Sequence, residues 1–247
     1  QNPIFAPITQ VSIRNSDAVT AVSHWLRDET RRAFGCERDI DVIYNFVDPR
    51  RYAAREALCV PPLACPEQVT LTHISNFRPV KRISDVMEVF ARVRRQMRAR
   101  LLLVGEGPDS SLAMRMANEL GVAEDVVFVG VVDAIEPVLA CSDLLLLPSE
   151  SESFGLVALE AMAAGVPVIG ADAGGLPEVV VAGETGYLAP VGDVAAMADH
   201  AIGLLRDPER RRRMGAAAQQ RAFDQFPVDK IVPQYEAVYQ RVVGGER

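Results

Sequence analysis

Long hydrophobic runs are largely missing from this chain of 247 residues. The longest apolar stretches, such as 144–147 and 166–169, fall far short of the roughly 20 residues that cross a bilayer, so no helical membrane span is predicted. Cysteine is scarce as well. Cys36, Cys59, Cys65 and Cys141 show no Cys-x-x-Cys spacing, and neither His24 nor His73 stands at ligand distance in sequence from a cysteine pair. No metal site is therefore expected. The four cysteines are read as free thiols in a reducing cytoplasm, the alternative being a disulfide or metal site in the proline-containing 59–65 loop. There is no basic excess: 26 Lys and Arg stand against 33 Asp and Glu, a formal charge of -7. That balance disfavours nucleic acid or an anionic membrane as the main partner, although a few local cations can still hold a small anion. Residues 1–15 lack the basic and apolar regions of a secretion signal and begin with Gln1, so the chain is expected to be cut at its N-terminus.

What is present is a regular alternation. From residue 69 onward, β-rich apolar runs at 69–74, 101–104, 126–129, 144–147 and 166–171 alternate with amphipathic stretches at 84–97, 110–120 and 156–164. This predicts an α/β fold, a doubly wound parallel sheet covered by helices on both faces. Three more helices are predicted at 194–206, 208–226 and 228–243, with Asp193 and Asp207 as N-caps and Pro208 at the first helical position. The Arg210–Arg213 run reads as a solvated helix face. Before residue 69 the pattern of strand 18–22, helix 24–34 and strand 41–44 belongs to a separate sheet. The expected division is 1–48 as the end of a preceding domain, 49–226 as the ligand-binding domain, and 227–247 as a helix crossing back.

The segment 149–165, Ser-Glu-Ser-Glu-Ser-Phe-Gly-Leu-Val-Ala-Leu-Glu-Ala-Met-Ala-Ala-Gly, follows the strand at 144–147 and opens a helix. Free backbone N–H groups at such a corner sit where open α/β sheets bind ligands, so Ser153, Phe154, Gly155 and Leu156 are expected to face a diphosphate. Glu152 and Glu160 would lie about 12 Å apart along a helix and about 80° apart around it. Two readings stand: a pair of carboxylates accepting from sugar hydroxyls, or one residue complementing the helix dipole and the other merely at the surface. After the strand at 69–74 come Asn76, Arg78 and Lys81. They are candidates for a clamp on a leaving diphosphate, or else solvated cations opening a helix. Gly105 and Gly107 form a turn close to a nucleotide base or a plain turn, since Ser110 stands where a dinucleotide fingerprint needs glycine. Asp172, Gly174, Gly175 and Glu178 are expected along the same edge, with no catalytic role for Glu178.

The pattern Glu-Ser-Phe-Gly-Leu-Val-Ala-Leu-Glu-Ala-Met-Ala-Ala-Gly-Val-Pro-Val-Ile-Gly, followed by Gly-Gly-Leu-Pro-Glu at 174–178, resembles the retaining glycosyltransferases of family 4. The resemblance implies a GT-B fold with a Rossmann-like C-terminal domain. By it, Glu160 would hold the ribose of the nucleotide and Glu152 the transferred sugar. The family's Arg aligns with Asn76, so Arg78 is expected to supply the guanidinium beside Lys81. The glycine pair would let the backbone approach the donor sugar. The stretches 16–23, 42–48 and 73–82 further resemble the subgroup that begins bacillithiol synthesis. This implies UDP-N-acetylglucosamine as donor, L-malate as acceptor and retention of configuration, with no cofactor and no metal.

The rival expectations are a family 4 enzyme with another acceptor, a UDP-sugar epimerase, or a UDP-binding module without turnover. A cytoplasmic location is expected, and a homo-oligomer is allowed. Ser23 and Arg14 carry no assignment.

Overall fold

Strands that are apolar at every position, such as Leu-Leu-Leu-Leu at 144–147, can be buried only in a sheet covered on both faces. The computed structural model of the protein, which describes residues 6–52, 63 and 67–244, has that arrangement. It begins with helix α1 (Ala6–Asn15), strand β1 (Thr20–Ala21), helix α2 (His24–Phe34) and strand β2 (Asp41–Val42). β1 and β2 pair in parallel as a sheet of their own, as the change of pattern at residue 69 predicts. A single 3₁₀ turn, Pro49–Tyr52, carries the chain away from them.

The second unit holds β3 (Val69–Ile74), α3 (Ile83–Arg94), β4 (Ala99–Val104), α4 (Ser110–Glu119), β5 (Val126–Gly130), α5 (Glu136–Ala140) and β6 (Leu144–Leu147). It continues with α6 (Leu156–Ala163), β7 (Val168–Ala171), α7 (Leu176–Val179), β8 (Gly186–Ala189), α8 (Val194–Arg206), α9 (Pro208–Gln225) and α10 (Val228–Val243). Six parallel strands run in the order β5-β4-β3-β6-β7-β8. Alternation along each strand divides the core. Leu101, Leu103, Leu144 and Leu146 pack with Phe90 and Met197 on one face, while Leu102, Leu145 and Leu147 pack with Leu159 and Ala222 on the other.

The three C-terminal helices lie within one residue of their predicted bounds. Asp193 and Asp207 accept from Ala196 N at 3.0 Å and Arg210 N at 2.9 Å, as N-caps do. Four expectations need correction. Strand β8 is not predicted because its Gly-Tyr-Leu-Ala is short and starts with glycine. That glycine is required, since a Cβ on Gly186 would stand 2.4 Å from the Val168 carbonyl oxygen. The short helices α5 and α7 and the outlying α1 are missed too. Arg211 is not a solvated residue of its run, because it pairs with Asp143 at 3.0 Å, both side chains mostly covered. Nor are all the cysteines free. Cys36 is free and buried, but Cys141 is disulfide-bonded, with its partner outside the described residues. The alternatives raised for Cys59 and Cys65 also lie outside them.

α10 returns to the first unit. Val47 N donates to Phe226 O and Val228 N donates to Val47 O, each at 2.9 Å, and Tyr235 Oη donates to Ile43 O at 3.3 Å. No helix among the described residues is long and apolar enough to cross a membrane.

Helices α6 and α9 approach closely because small residues face each other. A Cβ on Gly215 would lie 2.3 Å from the Gly165 carbonyl oxygen. Gly215→Ala is therefore expected to destabilise the protein by about 1–3 kcal/mol in denaturant titration, although alanine is the better helix former by about 1 kcal/mol. A stabilised variant would show that the contact relaxes freely.

Candidate functional site

The strand order reverses between β3 and β6: the chain goes on from β3 to β4 and β5 on one side, and from β6 to β7 and β8 on the other. Loops leaving two such neighbours diverge and open a crevice at the carboxyl ends of the strands. Most of the predicted residues lie on these two loops.

The loop after β3 is fixed from below by His73, which is fully buried. Its Nδ1 lies 2.9 Å from Leu146 O and its Nε2 2.8 Å from Ser75 Oγ. A carbonyl only accepts, so Nδ1 carries the proton and Nε2 accepts from the Ser75 hydroxyl. Ser75 Oγ in turn accepts from Phe77 N at 3.1 Å. Burial lowers the His73 pKa to about 4, which keeps the ring neutral at physiological pH. Phe77, at φ 36°, stacks its buried ring on His73 with centroids 6.0 Å apart. A non-glycine residue in this region is strained, and the His73–Ser75 pair and the stacked rings hold it there. The turn exposes the side chains of Asn76 and Arg78. Among the described residues the Arg78 guanidinium has neither ion pair nor side-chain hydrogen bond. Arg82 is different: it is bound to Asp85 at 2.6 Å.

Gly105 and Gly107 press the turn after β4 onto this loop. A Cβ on either would lie within 2.0 Å of the Ser75 or Asn76 carbonyl oxygen respectively. Their N–H groups are also occupied, Gly105 N by Gly130 O at 2.8 Å and Gly107 N by Ser110 Oγ at 3.0 Å. Close packing of one loop on another is thus sufficient reason for both glycines.

On the opposite side, Lys81 Nζ donates to Glu152 Oε1 at 2.7 Å, with the side chains only 21% and 13% exposed. Glu150 N donates to Val80 O at 2.8 Å, so backbone and side chain both join the two loops. Glu152 lies in the loop four residues ahead of α6, and the spacing computed for both glutamates on one helix does not apply. Gly174 and Gly175 lie directly behind it: a Cβ on Gly174 would meet Glu152 O at 2.1 Å, and Gly175 N donates to that oxygen at 2.7 Å. Gly155, at φ 94°, turns the chain into α6. The side chain of Phe154, 2% exposed, points inward against Tyr44 and Phe226, so only its backbone can face a ligand. Among the described residues, no acceptor is found for the N–H groups of Phe154, Gly155, Leu156 and Val157. The exposed Ser153 and Leu156 side chains flank them.

Glu160 stands one turn into α6, half-buried. Burial first, and the nearby Glu136 second, raise its pKa to about 7, against the pull of Arg51. None of its side-chain atoms is hydrogen-bonded to Glu152 or Lys81.

Sequence reasoning missed the residues that join the two units at this edge. Ser23 caps α2, accepting from Leu26 N at 2.9 Å, and its hydroxyl donates to Ser153 O at 2.6 Å. The Glu178 carboxylate accepts from His24 N at 2.9 Å, Trp25 N at 2.8 Å and Tyr44 Oη at 3.2 Å. The first N–H groups of α2, which have no partner within the helix, are all satisfied in this way. Serine ahead of a helical pattern is a recognisable cap signal; nothing in the sequence marks Glu178 as its companion.

Among the described residues, no cluster of three or more His, Cys, Asp and Glu could hold a metal ion. A crevice at the switch point of a parallel sheet, with helix-terminal N–H groups that find no acceptor among the described residues, is an arrangement that can receive an anionic ligand. The comparisons give the class: the chain belongs to the glycosyl transferases group 1 family, whose pattern matches residues 62–221. The pattern of Glycosyltransferase Family 4 matches residues 1–51.

The chain is 44% identical over 249 residues to N-acetyl-alpha-D-glucosaminyl L-malate synthase of Bacillus anthracis, covering 100% of this chain and 65% of that protein. It is 33% identical to glycogen synthase of Mycobacterium tuberculosis over 95% of this chain and 56% of the relative. Among solved structures, sucrose-phosphate synthase from Thermosynechococcus elongatus superposes with a TM-score of 0.87 at 25% identity, over 100% of this chain and 63% of that one. Anabaena HepE in complex with UDP and glucose gives 0.85 at 25% identity, over 95% and 66%. The GT-B architecture is thereby shown. The chain spans less than two thirds of the length of each of these proteins.

Two outcomes follow. Glu178→Ala leaves three donors without their acceptor and should cost about 1–3 kcal/mol in denaturant titration; a change within about 0.5 kcal/mol would show that α2 is not held by it. Glu160 binds its proton more tightly when folded than its ordinary value of 4.5 allows, so it adds stability at low pH that is lost as pH rises toward 7. Glu160→Gln should therefore gain on the wild type in thermal unfolding between about pH 5 and pH 8, by on the order of 1 kcal/mol after solvent screening. A constant difference would contradict the raised value.

Proposed function

We propose that this chain is the nucleotide-sugar side of a retaining glycosyltransferase that moves N-acetylglucosamine from UDP-N-acetylglucosamine to L-malate, the first step of bacillithiol synthesis. The observation that carries the reading is the pairing of Lys81 with Glu152 across the switch-point crevice, beside N–H groups at the start of α6 that have no acceptor among the described residues. In this reading residues 1–48 close an acceptor-side domain, 49–226 bind the donor, and 227–247 cross back. The donor assignment draws on the resemblance in sequence to the malate synthase and on the fold shared with HepE, whose structure holds UDP and glucose. The acceptor assignment rests on the malate synthase alone.

The chemistry follows from the charges. UDP departs as its diphosphate gains negative charge, which Lys81, Arg78 and the N-terminal N–H groups of α6 stabilise more strongly in the transition state than in the bound donor. Lys81 is neutralised by Glu152 in the free protein, so the diphosphate must share the ammonium with that carboxylate. Glu152 then faces the transferred sugar and orients its hydroxyls, while Glu160 accepts from the ribose. Asn76, at the exposed tip of the β3 loop, borders the same ligand. The malate hydroxyl bonds to the anomeric carbon from the face that UDP leaves as the carbon–oxygen bond to UDP breaks, its proton passing to the departing phosphate oxygen, and no protein nucleophile takes part. Side-chain cations and a helix terminus supply the charge that a divalent ion supplies in other transferases.

Glu160→Ala is expected to weaken UDP binding by about 1–3 kcal/mol in calorimetry; unchanged affinity would remove the ribose role. For the reaction, a protein extended to the full length of its relatives should release UDP from UDP-N-acetylglucosamine with L-malate and not with other hydroxy acids or sugars. Its product should keep the donor's anomeric configuration by NMR, and turnover should survive excess EDTA. Preference for a different acceptor would overturn the malate assignment while leaving the donor side standing.

A further inference from the structure

A buried hydroxyl of the first unit reaches the loop that opens α6. Ser23 is completely buried, and its oxygen accepts from Leu26 N at 2.9 Å, a bond whose proton Leu26 supplies. A serine hydroxyl has one proton of its own to give. It goes to Ser153 O, 2.6 Å away and 130 positions on in the chain. Gly175 clears the space for this bond, since a Cβ there would lie 2.5 Å from Ser153 O and 3.0 Å from Ser23 Oγ. The preceding carbonyl of the same loop is held as well, Glu152 O accepting from Gly175 N at 2.7 Å. Capping α2 uses only the acceptor side of the Ser23 hydroxyl. The donor side is spent on the site, and the cap gives no reason for it.

A trans peptide is planar, and its carbonyl and N–H point in opposite directions. Ser153 O and Phe154 N belong to one such plane. Drawing the oxygen toward Ser23 therefore turns the Phe154 N–H away from Ser23, and that N–H has no acceptor among the described residues. We infer that Ser23 is a positioning residue for the diphosphate of the donor: by holding Ser153 O it fixes the peptide whose N–H the diphosphate takes. The inference rests on the reading that the N–H groups opening α6 receive the diphosphate. Without the hydroxyl this peptide is free to tilt about its flanking dihedral angles, and binding then includes the entropy of ordering it. The donor site is thus completed from the other unit, by a side chain that itself stays out of reach of the ligand.

The test is calorimetric titration with UDP and with uridine, the latter by displacement of UDP, on the wild type and three variants. The wild type should bind UDP more tightly than uridine, because only UDP carries the phosphates. Ser23→Ala should weaken UDP by about three- to tenfold, the worth of one lost hydrogen bond, and leave uridine unchanged. Ser23→Thr keeps both the hydroxyl and a capping side chain and should restore UDP to within about twofold. Glu178→Ala removes three other bonds of the same junction and leaves Ser23 with its partner. It should lose stability yet hold UDP within about twofold of the wild type. If the wild type prefers UDP but Ser23→Ala binds it equally well, loses uridine to the same degree, or is matched by either other variant, the inference is overturned and the diphosphate reading stands. If the wild type binds UDP no better than uridine, the diphosphate reading falls and the inference with it.

Discussion

Four loops meet at the carboxyl edge of this sheet, and at the tightest of their crossings the backbones can approach only because glycine stands there. At Gly105, Gly107 and Gly174 a single added carbon would lie about 2 Å from a carbonyl oxygen of the neighbouring loop. No side-chain rearrangement relieves such a clash, since the obstacle is main chain. The loop bearing Asn76 and Arg78 rests on the first two of these glycines, and the loop bearing Glu152 on the third. The backbone positions of Asn76 and Glu152 are inherited from that stacking.

On this rigid base the electrostatics are arranged asymmetrically. Lys81 and Glu152 neutralise each other where the transferred sugar is proposed to lie, Arg78 has no ion-pair partner among the described residues, and Glu160 is half-buried. His73 contributes shape rather than charge. Neutral and wedged between Leu146 and Ser75, it holds the turn at Phe77 in a strained conformation. A charged imidazole there would cost far more than the loop returns.

Local patterns carried much of this into the sequence. Five of the six strands of the large sheet, the caps Asp193 and Asp207, and the three terminal helices were legible because each is decided by a few consecutive side chains. The glycine and glutamate spacing of 149–178 was legible as a resemblance. What lay hidden depends on contacts distant along the chain. Glu178 meets His24 and Trp25 across more than 150 positions, and Ser23 meets Ser153 across 130. Cys141 found a disulfide partner that no Cys-x-x-Cys spacing announces. The inward turn of Phe154 and the position of Glu152 ahead of its helix depended on φ at Gly155, which composition does not reveal.

The chain passes between its two units twice, at Val47 on the way out and at Pro227 on the way back, and the two passages lie side by side. Val47 is clasped from both ends, its N–H by Phe226 and its carbonyl by Val228. Two tethers laced together, with the Ser23 and Glu178 bonds at the far edge, fasten the units at separate places, so that neither can turn about the other without giving up hydrogen bonds.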